Sequence, residues 1–181
     1  MRVVAGSARG RRLVVPDGDA TRPTADRVRE AMFNSLYSLG AIEDAKVIDV
    51  FAGSGALGIE ALSRGAAHCV FAESDRRALD ALRENLSTLG FEDRATVVVG
   101  DGTRALATRS DLDLVLLDPP YAFEGWADLL STVEGSVAHD AVVVIESGRE
   151  VDLPAGWETH RVRHYGSTVV TLASAGSASR P

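Results

Sequence analysis

The chain has 181 residues, 45% hydrophobic and 25% charged, with a net charge of −7, the profile of one globular domain able to bury a core. Its single cysteine, Cys69, excludes an internal disulfide and a cysteine-based zinc cluster and fits a reducing, cytoplasmic setting. The opening MRVVAGSARGRR has no apolar signal-like core, and no apolar run approaches membrane-spanning length, so no membrane partner is expected.

In chain order, RVVAG and RRLVVP flank SARG and predict two short strands around a turn. From Thr24, TADRVREAMFNSLYSLG predicts a helix with Thr24 as N-cap, Val28, Met32, Leu36 and Leu39 on one face, and Gly40 as the stop. This opening carries the basic charge. Residues 1–29 hold seven arginines against three aspartates, a surplus of four positive charges that leaves −11 for the rest of the chain. A local basic patch on an acidic body suits contact with nucleic-acid phosphates at one place. Arg2, Arg9, Arg11, Arg12, Arg22 and Arg27 are the candidate contacts. Residues 1–40 thus read as a basic hairpin-and-helix extension, an appendage to a main domain over 41–174, with a small, polar, disordered tail at 175–181.

From Lys46 the pattern alternates between strand and helix. KVIDVFA, HCVFAE, ATVVVG, DLVLLD and AVVVIES are strands; ALGIEALSRG and DRRALDALRENLSTLG are helices, with further helical segments near 103–109 and 125–134. In the second helix Asp75 is the expected cap and Gly90 the stop. Continuous apolar strands alternating with helices predict a mostly parallel sheet covered on both faces. WETHRVRHYGSTVVTLA adds two strands around Gly166, an antiparallel hairpin at a sheet edge.

Ligands in such sheets bind beyond the carboxyl ends of the strands, and four strand ends here carry unusual residues. Asp49 precedes the loop GSGALG, whose Gly53, Gly55 and Gly58 match G-x-G-x-x-G; Glu73 ends the next strand, about 20 residues after the loop begins. Glu73 suits both hydroxyls of a ribose. Asp49 lies inside the strand end, where a carboxylate would repel a pyrophosphate but suit the ammonium and sulfonium groups of S-adenosylmethionine. That favours this cofactor over a nicotinamide dinucleotide. Asp101 could accept from an adenine amino group or simply cap the next helix, and Phe51, Ser74 and Gly102 complete the candidate cofactor contacts.

The fourth end is VLLDPPYAF. Pro119 and Pro120 stiffen the corner and remove two N–H groups, so Asp118 and the Pro119 carbonyl can both accept from one exocyclic amine. Two fixed acceptors favour a pyramidal nitrogen with its lone pair aimed at a methyl donor. Tyr121 offers a ring on which an extruded base can stack, a role that needs the ring and not the hydroxyl. Asp118, Pro119, Pro120 and Tyr121 are the candidate catalytic set. The four histidines are dispersed, and no metal site is expected.

These motifs, FAGSGALGIEALSRGA and DPPY with RPTADRVREAMFN before them, resemble the RsmD-type methyltransferases over nearly the whole chain. The resemblance implies a Rossmann-like class I S-adenosylmethionine-dependent fold with a seven-stranded sheet and a small N-terminal β-hairpin and helix. It also implies transfer of methyl to guanine N2, at guanine 966 of 16S ribosomal RNA, by a monomer acting on an assembled or assembling small subunit. It places Asp49, Gly53 and Gly55 at the cofactor's methionine end, Glu73 at the ribose, Asp101 at the adenine, and Arg27 with Glu30 beside the site. The residues alone leave adenine N6 of DNA or RNA open, because DPPY serves either amine. A non-catalytic ribosome-assembly module is the alternative from another class. A cytosine-C5 enzyme would need a cysteine at the site, and Cys69 reads as the interior of a strand.

Overall fold

The computed structural model describes residues 1–16 and 23–175; Arg22 and residues 176–181 of the expected tail lie outside them. Seven strands form one sheet: β1 (Lys46–Asp49), β2 (His68–Glu73), β3 (Ala95–Val99), β4 (Leu112–Leu117), β5 (Val137–Ser147), β6 (Glu158–Tyr165) and β7 (Thr168–Ser174), in the order β3-β2-β1-β4-β5-β7-β6. The first five are parallel, and β7 pairs antiparallel with both β5 and β6. The terminal hairpin is at the sheet edge as expected, with its second strand inserted inside the first. Composition explains the order. TVVTLAS can be buried on both faces, whereas ETHRVRHY is charged along its length and stays on the outer edge.

Successive residues of each strand feed opposite faces of the sheet. Val47, Leu114, Leu116, Val142, Val144, Val170 and Leu172 share one cluster. The helices on that face are α1 (Pro23–Ser38), α2 (Ala56–Ser63) and α3 (Arg76–Leu89). They contribute Met32, Phe33 and Leu36, then Ile59 and Leu62, then Leu82 and Leu86. Ile48, Val115, Leu117, Val143 and Ile145 point the other way, against Leu106 of α4 (Gly102–Ala107) and Leu129, Leu130 and Val133 of α5 (Trp126–Glu134). The result is a three-layer α/β arrangement.

Helix ends follow the expected chemistry, with small shifts. Asp75 caps α3 by accepting from the Ala78 N–H at 2.9 Å, and Gly90 ends it in the left-handed region. Helix α1 begins at Pro23, one residue before the expected cap Thr24; proline is favoured in the first turn, where its missing N–H costs nothing. Leu39 lies beyond the last helical turn and is 45% exposed, so it leaves the apolar stripe assigned to it.

The N-terminal segment forms a short hairpin, its two runs pairing through an antiparallel bridge, Arg2 to Arg12. The Val3 N–H donates to the Arg11 carbonyl at 3.0 Å, Gly10 to Val3 at 2.8 Å and Leu13 to Met1 at 3.1 Å, a pairing too short to make full strands. Other N–H groups of the two runs are taken by side chains of α2 and α3. The Glu60 carboxylate accepts from Val4 at 2.8 Å and Ala5 at 3.0 Å, Ser63 Oγ from Ala8 at 3.0 Å, and Asn85 Oδ1 from Val14 at 2.7 Å. Val3, Ala8 and Leu13 join the same core cluster as the sheet. The segment packs against the main body through these residues.

Candidate active site

The strand order reverses between β1 and β4, and the crevice beyond the carboxyl ends of those two strands is where such sheets bind ligands. Four of the sequence-derived groups meet around it. Asp49, 1% exposed, ends β1; its Oδ2 accepts from the Gly58 N–H at 2.9 Å, while Oδ1 is buried with no hydrogen-bond partner. Burial pushes its carboxyl up to about 7, the Gly58 N–H opposing and the nearby Glu73 charge adding to the rise. A buried carboxylate in that position favours a cationic ligand.

Between Asp49 and α2 the glycine loop turns tightly. Gly55 has φ 87°, a conformation glycine adopts without strain, and a Cβ on Gly58 would stand 2.3 Å from the Phe71 ring, so helix and strand pack too closely for any other residue. A side chain built on Gly53 would meet nothing within 4 Å, which leaves that side of the loop open. Glu73 braces the loop from β2. Its Oε2 accepts from the Gly53 N–H and its Oε1 from the Ser74 and Asp75 N–H groups, each at 2.7 Å. Asp101 caps α4, accepting from the Arg104 N–H at 3.0 Å, and Gly102 presses on the turn just after β1, where a Cβ would lie 1.9 Å from the Val50 carbonyl oxygen. The Phe51 ring packs edge-on to Phe123 at 5.5 Å, and Phe123 to Trp126 at 5.2 Å.

At the end of β4, Asp118 carries a carboxyl held well above the usual range by burial, then by the charges of Glu146 and Asp49. Pro119 is buried and Pro120 exposed; the Phe123 N–H donates to the Pro120 carbonyl at 2.8 Å and closes the turn. Among the described residues no N–H donates to the Pro119 carbonyl, so both acceptors of the corner are available. Tyr121 is 58% exposed, and its hydroxyl lies 2.7 Å from Thr168 Oγ1 at the start of β7. Cys69 is fully buried within β2 and burial pushes its thiol up, which removes it as a nucleophile. Arg2, Arg9, Arg11, Arg12 and Arg27 are exposed. Arg2 donates to the Gly10 carbonyl and Arg11 to the Thr88 carbonyl.

A family described as "Conserved hypothetical protein 95" matches residues 1–174. This chain belongs to that family, the RsmD family. Ribosomal RNA small subunit methyltransferase D of Escherichia coli is 40% identical over 178 residues, covering 95% of this chain and 88% of that protein. The putative rRNA methyltransferase YlbH of Bacillus subtilis is 39% identical over 160 residues, covering 85% and 86%. The solved structure of the putative methyltransferase yhhF from Escherichia coli superimposes with a TM-score of 0.87 at 39% identity, covering 98% of each chain.

Within this RsmD-family site, two features were not visible in the motifs. Thr168 reaches Tyr121 from 47 residues away, and Glu146 enters the charge environment of Asp118 from β5. The Tyr121 hydroxyl is thus engaged, not idle. Tyr121→Phe should cost a few-fold in turnover, since one exposed hydrogen bond contributes about 0.5–1.5 kcal/mol. Tyr121→Ala, which removes the stacking face, should cost at least ten times more than Tyr121→Phe. Equal losses in a steady-state methylation assay would mean that the hydroxyl, not the ring, carries the role.

Proposed function

We propose that this protein is an S-adenosylmethionine-dependent methyltransferase acting, as a cytoplasmic monomer, on the exocyclic N2 of a guanine in 16S ribosomal RNA within the small ribosomal subunit. The observation that carries the reading is the Asp118-Pro119-Pro120-Tyr121 corner, with both its acceptors available, beside the unpartnered Oδ1 of Asp49. The buried, unpaired oxygen, the braced glycine loop and its open outer side fit a ligand with a cationic amino-acid end and a ribose. Family membership and the name of the Escherichia coli relative support ribosomal RNA as the acceptor.

When bound, S-adenosylmethionine supplies a methyl group on a positively charged sulfur. Asp49 takes the cofactor's ammonium group, Glu73 its ribose hydroxyls, and the free oxygen of Asp101 its adenine amino group. Asp118 and the Pro119 carbonyl accept from the target amine and aim its lone pair, which is positioning with electrostatic stabilisation. Tyr121 holds the base by stacking.

The test is a methyl-acceptor assay on small subunits lacking the modification, with radiolabelled cofactor and nucleoside analysis. N2-methylguanosine is expected; N6-methyladenosine instead would overturn the reading. Calorimetry should show S-adenosylmethionine binding that Glu73→Ala weakens by about 1–3 kcal/mol, the loss of charged hydrogen bonds.

Charge at the exposed arginines should govern the RNA step. Each arginine–phosphate contact releases counterions and adds about 0.7–0.9 to the slope of log affinity against log salt. Deleting the segment would also remove Val3, Ala8 and Leu13 from the core, so substitution is the cleaner test. Replacing Arg9, Arg12 and Arg27 together by alanine should flatten the salt dependence of subunit binding and leave cofactor affinity unchanged. An unaltered slope would place the RNA contacts elsewhere.

A further inference from the structure

Three carboxylates form a row on one face of the sheet. Asp49 is in register with Leu116, and Asp118 follows two residues later, so both point to the same side. Leu117 is in register with Ile145, which sets Asp118 beside Glu146 on the neighbouring strand, about 4.8 Å away in the direction of the backbone ladder. Glu146 pairs in turn with Val170, a member of the cluster on that same face.

Among the described residues neither Asp118 nor Glu146 has a side-chain hydrogen-bond partner, and no group of His, Cys, Asp or Glu is arranged to hold a metal ion. Other charges on this face are Arg29 and Asp26 of α1, Glu60 of α2, and Arg161 and Arg163 of β6, in register with Leu172 and Val170; Arg161 donates to Ser35 Oγ of α1 at 2.8 Å. Burial raises the Glu146 carboxyl, while the Arg29 guanidinium pulls it back towards the anion. Of the adjacent pair, Glu146 is therefore the one whose negative charge has a cation behind it.

The two candidate bases differ beside their amines. Next to its 2-amino group guanine presents the N1–H, a second donor; next to its 6-amino group adenine presents N1 with a lone pair, an acceptor. Adjacent carboxylates complement two donors and repel a donor–acceptor edge. We propose that Glu146 accepts a hydrogen bond from the N1–H of the target base and thereby selects guanine over adenine, an inference that rests on the guanine-N2 reading above. Asp118 holds the reacting amine; Glu146 reads the atom next to it. A site built to bond a polar group rejects analogues lacking it far more strongly than an apolar pocket rejects a size mismatch.

2-Aminopurine keeps the 2-amino group but lacks both the N1 proton and the 6-oxygen, so the change in the guanine to 2-aminopurine ratio on Glu146→Gln, not the wild-type ratio alone, isolates the N1 contact. Small subunits would be reconstituted with 16S RNA ligated to carry guanine, 2-aminopurine or adenine at the target position. The wild-type protein should methylate guanine at least about a hundredfold faster than 2-aminopurine. Glu146→Gln, whose amide can donate to an unprotonated N1, should lower the guanine rate and shrink the ratio below about tenfold. A ratio of rates is insensitive to a general loss of folded protein, and calorimetric cofactor binding verifies the variant. Equal wild-type rates on guanine and 2-aminopurine, or an unchanged ratio in Glu146→Gln, would overturn the role of Glu146 and leave the function standing. Preference for adenine would overturn both.

Discussion

Asp118→Ala should lower the rate of methyl transfer at least about a hundredfold, the usual scale for one preorganised electrostatic group, while cofactor affinity changes little. The side chain stands at the end of β4 beside a proline-stiffened turn, with the Pro119 carbonyl as the second acceptor. Alanine leaves the amine one acceptor, and its lone pair is no longer aimed. Stability should move the other way or not at all. Asp118 is a half-buried acid whose carboxyl is pushed up by desolvation and then by two neighbouring carboxylates, so its removal relieves like-charge repulsion. Single-turnover rates and thermal melts measured together separate the two effects. A large fall in melting temperature accompanying the lost rate would assign Asp118 a structural role.

Glu60→Ala should destabilise the fold by about 3–5 kcal/mol, the cost of breaking a buried ion pair by removing one partner. Glu60 is 0% exposed. Its oxygens accept from the Val4 and Ala5 N–H groups and from Arg64 Nε at 2.7 Å, and Arg29 Nε lies at 3.8 Å, an ion-pair distance longer than a hydrogen bond. Arg29 also donates to the Arg2 carbonyl and to Asp26. Among the described residues, alanine removes the only carboxylate paired with Arg64 and one of the two near Arg29, leaving both almost fully buried guanidinium groups under-compensated. Urea denaturation gives the magnitude, and limited proteolysis should show the first sixteen residues released before the sheet unfolds. Glu60→Gln should be milder, because its carbonyl oxygen still accepts one N–H. A cost below about 1 kcal/mol for alanine would mean that water replaces the carboxylate.

The strands and helices of the main body were legible because their periods are clean. Apolar runs of about six residues separated by amphipathic stretches leave little alternative to a covered parallel sheet. The strand-end residues Asp49, Glu73, Asp101 and Asp118 were legible for a related reason: a carboxylate directly after a buried strand is costly unless it caps a helix or meets a ligand. Asp101 does cap its helix. Asp49 takes the Gly58 N–H in the first turn of α2 with one oxygen and leaves the other buried and unpartnered.

Glu60 and Glu146 were invisible for the opposite reason. In sequence, Glu60 is one acid in an otherwise apolar helical run and Glu146 an acid at the end of a valine-rich strand; only packing gives either a role. The N-terminal runs pair as a short ribbon, which is marginal alone, and it is held in place because the Val4, Ala5, Ala8 and Val14 N–H groups find acceptors on α2 and α3. The amino-acid sequence by itself determined the layered fold, the strand-end positions of Asp49, the glycine loop, Glu73 and the Asp118 corner, and the family. Tertiary structure alone decided which strand lies at the edge, that the basic segment shares the core, that Thr168 holds Tyr121, and that Glu146 stands beside Asp118. The physical reason is register: periodicity assigns a residue to a face, but only hydrogen-bonded pairing between distant strands sets which side chains meet across it.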